Sequence, residues 1–216
     1  VAAPEERFRP RWHFTPPFGW MNDPNGLVFA DGIYHLFFQY NPYATDFGNI
    51  GWGHAVSTDF VHWQTWPVAL APTPDAFVFS GGAVVDPRNT SGLCTPEGGG
   101  PACIVSIYTA NRFEGPLVRQ TQDLAVSTDG ARTFRRFEAN PVLDRALADF
   151  RDPKVFWHEP TQRWVMAVAL PLDRRVALYA SPDLRSWELL SEFGPLGATG
   201  GVWECPELME LPVEGG

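Results

Sequence analysis

Three stretches of the chain follow one pattern, and their spacing limits the folds that the chain can adopt. Each begins where a strand ends, continues as Ser-x-Asp and a short turn, and closes on an aromatic residue: Val56–Trp63, Val126–Phe134 and Ala180–Trp187. The serines stand at positions 57, 127 and 181, so each unit holds about four strands. Units of that size are typical of β-propeller blades, and a recurrent hairpin in an ordinary β-sandwich is the alternative. We favour the propeller because a second repeat keeps step with this one.

The residues between these units predict strands rather than helices. Proline and glycine occur 21 and 20 times, which disfavours long helices. We therefore expect an all-β chain with short strands separated by turns. The predicted strands are Gly26–Phe29, Ile33–Gln39, Ala83–Val85, Cys103–Tyr108, Gln122–Ser127, Lys154–Trp157, Trp164–Ala169 and Val176–Ser181.

The second repeat is an acidic residue followed closely by proline and an apolar run. Its copies are Asp23-Pro24, Asp152-Pro153 and Glu204-Cys205-Pro206, and Ser80-Gly81-Gly82 resembles them without the acid. The innermost strand of every propeller blade lines the central channel. Residues at equivalent strand ends therefore converge, and we expect the three carboxylates to share one pocket. For any single copy, an acid beside proline could also be only a turn.

Converging carboxylates permit glycoside hydrolysis. One attacks the anomeric carbon while another protonates the leaving oxygen, and their separation, about 5–5.5 Å or about 6.5–9.5 Å, distinguishes retention from inversion. A third carboxylate could hold sugar hydroxyls more tightly in the transition state. A metal site is a weaker competitor, because the five histidines show no HExxH spacing.

The charge of the chain limits the classes of molecule that it is expected to bind. A formal net charge of −9 disfavours nucleic acid and anionic membranes, which both need basic patches. No apolar run is long enough for a transmembrane helix. The segment Val1–Glu6 lacks the features of a signal peptide and reads as a mature or trimmed start. A neutral substrate is compatible with these properties.

Two of the three cysteines, Cys94 and Cys103, flank a turn-rich segment. A disulfide closing this loop would imply an oxidising compartment. Two unpaired thiols in a cytoplasmic protein are the alternative.

Several motifs together resemble glycoside hydrolase family 32, the invertases, inulinases and levanases. They are Trp20–Gly26, Phe38–Pro42, Trp52–His54, Arg151–Pro153 and Glu204–Pro206, and the resemblance extends from about Arg11 to Leu211. It implies a five-bladed propeller followed by a β-sandwich. Residues 1–216 would be the N-terminal catalytic domain, covering the first three to four blades without the sandwich. The rest of the propeller and the sandwich are then expected from the same protein.

The resemblance also implies roles for single residues. Asp23 resembles the nucleophile, Glu204 the general acid/base and Asp152 the transition-state stabiliser. No cofactor and no metal are implied, and Cys205 is a family feature rather than a disulfide partner. The residues that resemble the family's substrate-binding positions are Trp20, Asn22, Gln39, Phe47, Phe79, Ser80 and Arg151.

The implied activity is hydrolysis of β-fructofuranosyl bonds in sucrose or fructans by a secreted enzyme through a covalent fructosyl-enzyme. Phe47 and Phe79 depart from the pattern, because the family often has tryptophan at both positions; both are expected to remain apolar pocket walls. This departure leaves the choice of substrate open. A fructosyltransferase with the same intermediate and a non-catalytic sugar-binding propeller are the alternatives.

Overall fold

The chain is built almost wholly of β-strands. The computed structural model describes residues 7–10, 12–94 and 100–211. None of the helices among these residues is long and apolar enough to cross a membrane. The strands are β1 (Trp20–Ala30), β2 (Ile33–Asn41), β3 (Gly51–Ser57), β4 (Gln64–Leu70), β5 (Ala76–Val85), β6 (Ile104–Glu114), β7 (Leu117–Ser127), β8 (Arg135–Arg136), β9 (Leu143–Leu147), β10 (Arg151–His158), β11 (Arg163–Leu170), β12 (Arg175–Ser181) and β13 (Glu188–Phe193), and a 3-10 helix covers Glu159–Thr161.

The strands form three consecutive antiparallel sheets. The first is β1-β2-β3-β4, the second β5-β6-β7-β8 with β9 also paired to β7, and the third β10-β11-β12-β13. Strand β5 packs against both β1 and β10. The opening strands of the sheets are thus neighbours, as in the blades of a β-propeller. The prediction of an all-β propeller chain is confirmed, and the predicted strands lie within observed strands except for Cys103.

The Ser-x-Asp repeat marks the same turn in every sheet. Ser57, Ser127 and Ser181 end the third strand of their respective sheets. Each serine hydroxyl donates to the aspartate two residues later, over 3.1, 2.8 and 3.1 Å respectively. The aspartates in turn accept from backbone amides of the following residues. This side-chain capping of the turn explains the recurrence of the pattern.

Apolar side chains fill the space between neighbouring sheets. Between the first and second sheets, Phe37, Trp52 and Tyr108 belong to one buried cluster. Between the second and third, Leu124 and Met166 belong to another. Burial of a large apolar side chain stabilises the fold by about 1.5–3 kcal/mol. The sheets are therefore held together by their faces, which leaves the ends of the inner strands available for polar residues.

The first sheet also buries two histidines that have no part in the predicted site. His35 and His54 are 2% and 1% exposed, and Nδ1 of His35 lies 3.1 Å from Nε2 of His54. The rings of both pack edge-on against Trp66. Burial lowers the pKa of His54 to about 3, and His35 acts in the same direction. The pair is accordingly neutral at physiological pH.

A disulfide joins Cys94 to Cys103, with 5.6 Å between their Cα atoms. It links the segment that follows β5 to the residue before β6, while residues 95–99 of the intervening turn lie outside the described residues. Among the described cysteines, Cys205 is free.

The end of the described chain differs from the other two acid–proline copies. Asp23 and Asp152 lie on strands, whereas residues 194–211, which include Glu204, form no strand. A strand needs a neighbour to accept its backbone hydrogen bonds, and this segment instead attaches to the third sheet at single points. Lys154 pairs with Glu207 over 2.6 Å, and the amide of Trp203 donates to the carbonyl of Pro171 over 3.4 Å.

Candidate active site

The opening strand of each sheet carries a β-bulge close to one predicted site residue. The pairing register shifts between Met21 and Pro24, between Val78 and Gly81, and between Arg151 and Lys154. Asp23, Ser80 and Asp152 each lie inside one of these intervals. A bulge bends the strand and re-aims a side chain. The three bulges therefore explain how one polar residue from each inner strand turns toward a common centre.

Asp23 is held by a chain of two hydrogen bonds from neighbouring strands. The hydroxyl of Ser80 donates to Oδ2 of Asp23 over 2.7 Å, and the amide of Gln39 donates to the Ser80 hydroxyl over 2.6 Å. Ser80 and Gln39 are 3% and 6% exposed, whereas Asp23 is half-buried. The next residue must be glycine, because a Cβ at Gly81 would lie 2.2 Å from the Ile107 carbonyl oxygen. The carboxylate thus has a fixed orientation with one side open.

Asp152 is buried at the start of β10 in an unusual backbone conformation. Its φ is 65°, a left-handed value that costs a residue with a side chain roughly 1–2 kcal/mol. Its amide donates to the Thr109 hydroxyl over 3.0 Å, and that hydroxyl donates to Gln122 over 2.9 Å. Gln122 in turn donates to the carbonyl of Phe150 over 2.7 Å. This fully buried relay holds the backbone on both sides of residue 151.

The carboxylate of Asp152 lies in an environment that disfavours its charge. Burial raises the pKa of Asp152 above its ordinary value. The amide of Cys205, which donates to Oδ2 over 3.0 Å, and the guanidinium of Arg151 act against that rise. The carboxylates of Asp23 and Glu204 add to it. Such opposing influences are typical of clustered catalytic acids.

Cys205 connects two of the acids. Its Sγ lies 3.7 Å from Oδ2 of Asp23 and 3.7 Å from Oδ2 of Asp152. Burial raises the pKa of this thiol, and the two carboxylates raise it further. The thiol therefore stays protonated and can donate to either oxygen. Since both acids meet one sulfur atom, Asp23 and Asp152 face the same small volume.

Arg151 brings the third acid to this cluster. Its Nη2 donates to Oε1 of Glu204 over 3.0 Å, and its Nε lies 3.9 Å from Oδ2 of Asp152. Nη1 pairs with Asp149. The Arg151 side chain is 14% exposed and that of Glu204 is 55% exposed. Glu204 thus lies at the outer edge of the cluster, where it remains open to solvent.

Aromatic rings border the open side of the cluster. The rings of Trp20 and Phe47 meet edge to face at 5.6 Å between centroids, and Phe47 and Phe79 at 6.2 Å. The carbonyl of Phe79 is fixed by the indole N–H of Trp52 over 2.9 Å. Phe47 is 60% exposed. It forms an edge of the site rather than an enclosed wall.

The structure brings nearly all of the predicted site residues to the same end of the inner strands. Asn22 lies beside Asp23 on β1 and is exposed. Sequence reasoning missed Thr109, Gln122 and Asp149, which orient Asp152 and Arg151. Thr109 on β6 of the second sheet meets β10 of the third sheet only because the two sheets pack together, so no local signal could have found it.

Known proteins support this assignment of the fold. An all-β chain whose carboxylates meet at the inner strand ends has the kind of site that a glycosidase needs. The model of the glycosyl hydrolases family 32 N-terminal domain matches residues 13–215. The chain therefore belongs to glycosyl hydrolase family 32.

Its relatives include a levanase and an exo-inulinase. The chain is 50% identical over 213 residues to a levanase of Bacillus subtilis, covering 98% of this chain and 30% of the levanase. It is 42% identical over 234 residues to an extracellular exo-inulinase of Aspergillus niger, covering 98% and 43%.

The fold agrees with solved structures as well. The β-fructofuranosidase of Schwanniomyces occidentalis, complexed with fructosyl-erythritol, matches with a TM-score of 0.88 and 44% identity over 96% of this chain and 40% of that chain. The chain thus spans less than half the length of these relatives.

Proposed function

We propose that this chain is the N-terminal catalytic domain of a retaining glycosidase that releases fructose from β-fructofuranosyl bonds in sucrose or fructans. Asp23 acts as nucleophile and forms a covalent fructosyl-enzyme. Glu204 protonates the leaving oxygen and then activates water, and Asp152 binds fructose hydroxyls. The relatives named levanase and exo-inulinase support this choice of substrate class.

The convergence of three carboxylates from distant parts of the chain carries the proposal. Asp23 and Asp152 share the thiol of Cys205 at 3.7 Å, and Arg151 links the same centre to Glu204. The acids differ in environment, because Asp152 is 7% exposed whereas the Glu204 side chain is 55% exposed. A nucleophile needs a fixed orientation, which Ser80 supplies to Asp23. A general acid needs access to the leaving group and to water, which suits Glu204.

The substrate-binding residues follow from the same geometry. Gln39 and Ser80 offer polar groups beside the nucleophile, and Arg151 can bind a hydroxyl next to Asp152. Asn22 and Trp20 lie on the rim, where Phe47 and Phe79 complete an apolar border. Uncharged sugar rings place C–H groups on such faces while their hydroxyls reach the carboxylates.

The three sheets are the first three blades of a five-bladed propeller in this proposal. The remaining blades and a C-terminal β-sandwich belong to the same protein, in keeping with the greater length of the relatives. The enzyme acts outside the cell. The disulfide and the extracellular exo-inulinase support that location.

The test is fructose release from sucrose, inulin and levan by the protein as its gene encodes it. Wild type is expected to release fructose, with β-fructofuranose as the first anomer detected by NMR because retention requires two displacements. Asp23→Ala is expected to abolish release. Unchanged release by Asp23→Ala contradicts the assignment of the nucleophile, and absence of hydrolysis and transfer in wild type supports a binding propeller instead. Longer oligosaccharides at high sucrose would identify a fructosyltransferase.

A further inference from the structure

A row of aromatic rings continues beyond the border of the candidate site. Phe47 contacts Phe77 at 6.4 Å between ring centroids, and Phe77 contacts Phe113 edge to face at 4.9 Å. Neither Phe77 nor Phe113 touches the acids. Phe47, Phe77 and Phe113 are called the aromatic row below.

The row lies at the same end of the second sheet as the acids. Phe77 precedes Ser80 on β5, and Phe113 is near the end of β6. The backbone amide of Phe113 donates to the Asp75 carbonyl over 2.8 Å. The hairpin that joins β6 to β7 therefore rises beside the site entrance. A substrate bound at Asp23 through one sugar can extend along this rim.

The row has the exposure expected of a binding surface. Phe47 and Phe113 are 60% and 39% exposed, and Phe77 is half-buried beneath them. The loop that carries Phe47 is anchored, because the side-chain amide of Asn41 donates to the backbone carbonyl of Asp46 over 3.0 Å. Exposed rings on anchored backbone bind with little loss of conformational entropy.

The charges of the hairpin lie on its other face. Successive side chains of a strand point to opposite sides, so Arg112 and Arg119 alternate away from Phe113. Arg112 pairs there with Asp123 over 2.6 Å, and Arg119 pairs with Asp144. The face that carries Phe113 therefore holds neither of these arginines. It suits a neutral carbohydrate better than a charged ligand.

We propose that Phe77 and Phe113 form a distal subsite that binds sugar units of an oligofructan beyond the leaving group. The inference rests on the proposed function, since the row is reached from the acid cluster through Phe47. A disaccharide places one sugar beyond the bond that is cleaved and does not reach Phe113. Longer chains stack on the row, so the subsite favours fructans over sucrose.

The test compares kcat/KM for sucrose and for inulin oligosaccharides of four or more units. Phe113→Ala and Phe77→Ala are expected to lower kcat/KM on the oligosaccharide about three- to tenfold, the usual contribution of an aromatic contact. The loss is expected in KM rather than kcat, since the contact is the same in ground and transition states. Activity on sucrose is expected to stay unchanged. Phe113→Trp retains a flat face and is expected to preserve activity on the oligosaccharide.

Phe29→Ala is the matched control. Phe29 is 55% exposed and lies on β1 six residues after Asp23, about 20 Å along the strand. Phe29→Ala is expected to leave kcat/KM unchanged on both sucrose and the oligosaccharide. Equal losses of Phe113→Ala on sucrose and oligosaccharide, with a lower Tm, would mean that another part of the protein covers the row, and this would overturn the subsite. No loss on either substrate would overturn it too.

Failure of the proposed function is separately visible. If wild type releases no fructose from any substrate, calorimetric titration of the same proteins with an inulin oligosaccharide still measures the subsite. Weaker binding by Phe113→Ala, but not by Phe29→Ala, supports it. Equal binding by the two variants contradicts it.

Discussion

The hydroxyl of Ser80 on the second sheet donates a hydrogen bond of 2.7 Å to Oδ2 of Asp23 on the first sheet. Gln39 donates to the same hydroxyl, so the serine proton has one direction left and points at the carboxylate. A neighbouring strand thus determines which oxygen of Asp23 is occupied. The other oxygen remains for attack on the anomeric carbon.

Ser80→Ala is expected to lower kcat/KM for fructose release about 10- to 100-fold, the value of a hydrogen bond to a charged group. The measurement is initial rates on sucrose and inulin. Ser106→Ala is the control, because Ser106 is equally buried and its hydroxyl has no partner among the described residues. If both variants keep wild-type rates, Ser80 does not orient the nucleophile.

Thr109→Val is expected to affect both stability and catalysis, because it removes the acceptor for the Asp152 amide. The buried amide and Gln122 would each lose a partner, which costs about 1–3 kcal/mol in the free energy of unfolding. kcat is expected to fall as Asp152 leaves its left-handed conformation. Thr109→Ser restores the hydroxyl and is expected to recover kcat. Failure of Thr109→Ser to recover kcat would mean that the methyl group, not the relay, matters.

Glu204→Gln tests the assignment of the general acid. Removing an acid costs about 10²–10⁴-fold when the leaving group needs a proton. The loss is therefore expected on sucrose and to be much smaller on a fructoside with a good leaving group. Glu207→Gln is the control in the same segment, since Glu207 pairs only with Lys154 among the described residues. Equal losses of Glu204→Gln on both substrates would contradict the role.

The histidine pair of the first sheet predicts a loss of stability in acid. Burial lowers the pKa of His54 to about 3 in the folded chain, whereas the unfolded chain takes up a proton near 6.5. Burial also lowers the pKa of His35, against the effect of Asp31. For His54 the stabilisation is therefore complete above pH 6.5 and is lost as the pH falls from 6.5 toward 3, by up to about 1.4 kcal/mol per pH unit; the lowered pKa of His35 acts in the same direction.

His54→Gln keeps a partner for His35 but does not titrate. Denaturant unfolding at pH 7 and pH 4.5 is expected to give a smaller difference in His54→Gln than in wild type. His13→Gln is the control because His13 is exposed, and it is expected to keep the wild-type difference. Identical pH dependence in all three proteins would contradict the prediction.

Much of the fold could be predicted because its signals are local. The Ser-x-Asp turn repeats in sequence because each copy caps its own turn, and the strand that it ends was predicted each time. The weak strands β4, β8, β9 and β13 were missed, since they lie at outer edges where few apolar side chains are needed. The acid–proline pattern at Glu204 matched the copies at Asp23 and Asp152, although its segment forms no strand among residues 194–211.

The site was predictable in part for the same reason. Asp23 and Asp152 stand in recognisable motifs, and the repeat indicated that they converge. Thr109, Gln122 and Asp149 belong to ordinary strand and loop sequences, and their role depends on the packing of the second sheet against β10 of the third. Nothing in the residues around Phe113 indicates that it meets Phe77, because register alone brings them together.

The bulges at Asp23, Ser80 and Asp152 separate the irregular, site-forming end of each inner strand from the regularly paired end. Beyond the bulge the regular pairing resumes along β5 and β10, and β1 resumes it after a second register shift between Asn25 and Val28. Mutations can accumulate at the acid end without disturbing the opposite end. Deleting one residue within a bulge has the reverse effect: it turns every later side chain of that strand to the other side. Natural variation in this part of the chain is therefore expected as substitutions and not as changes in length.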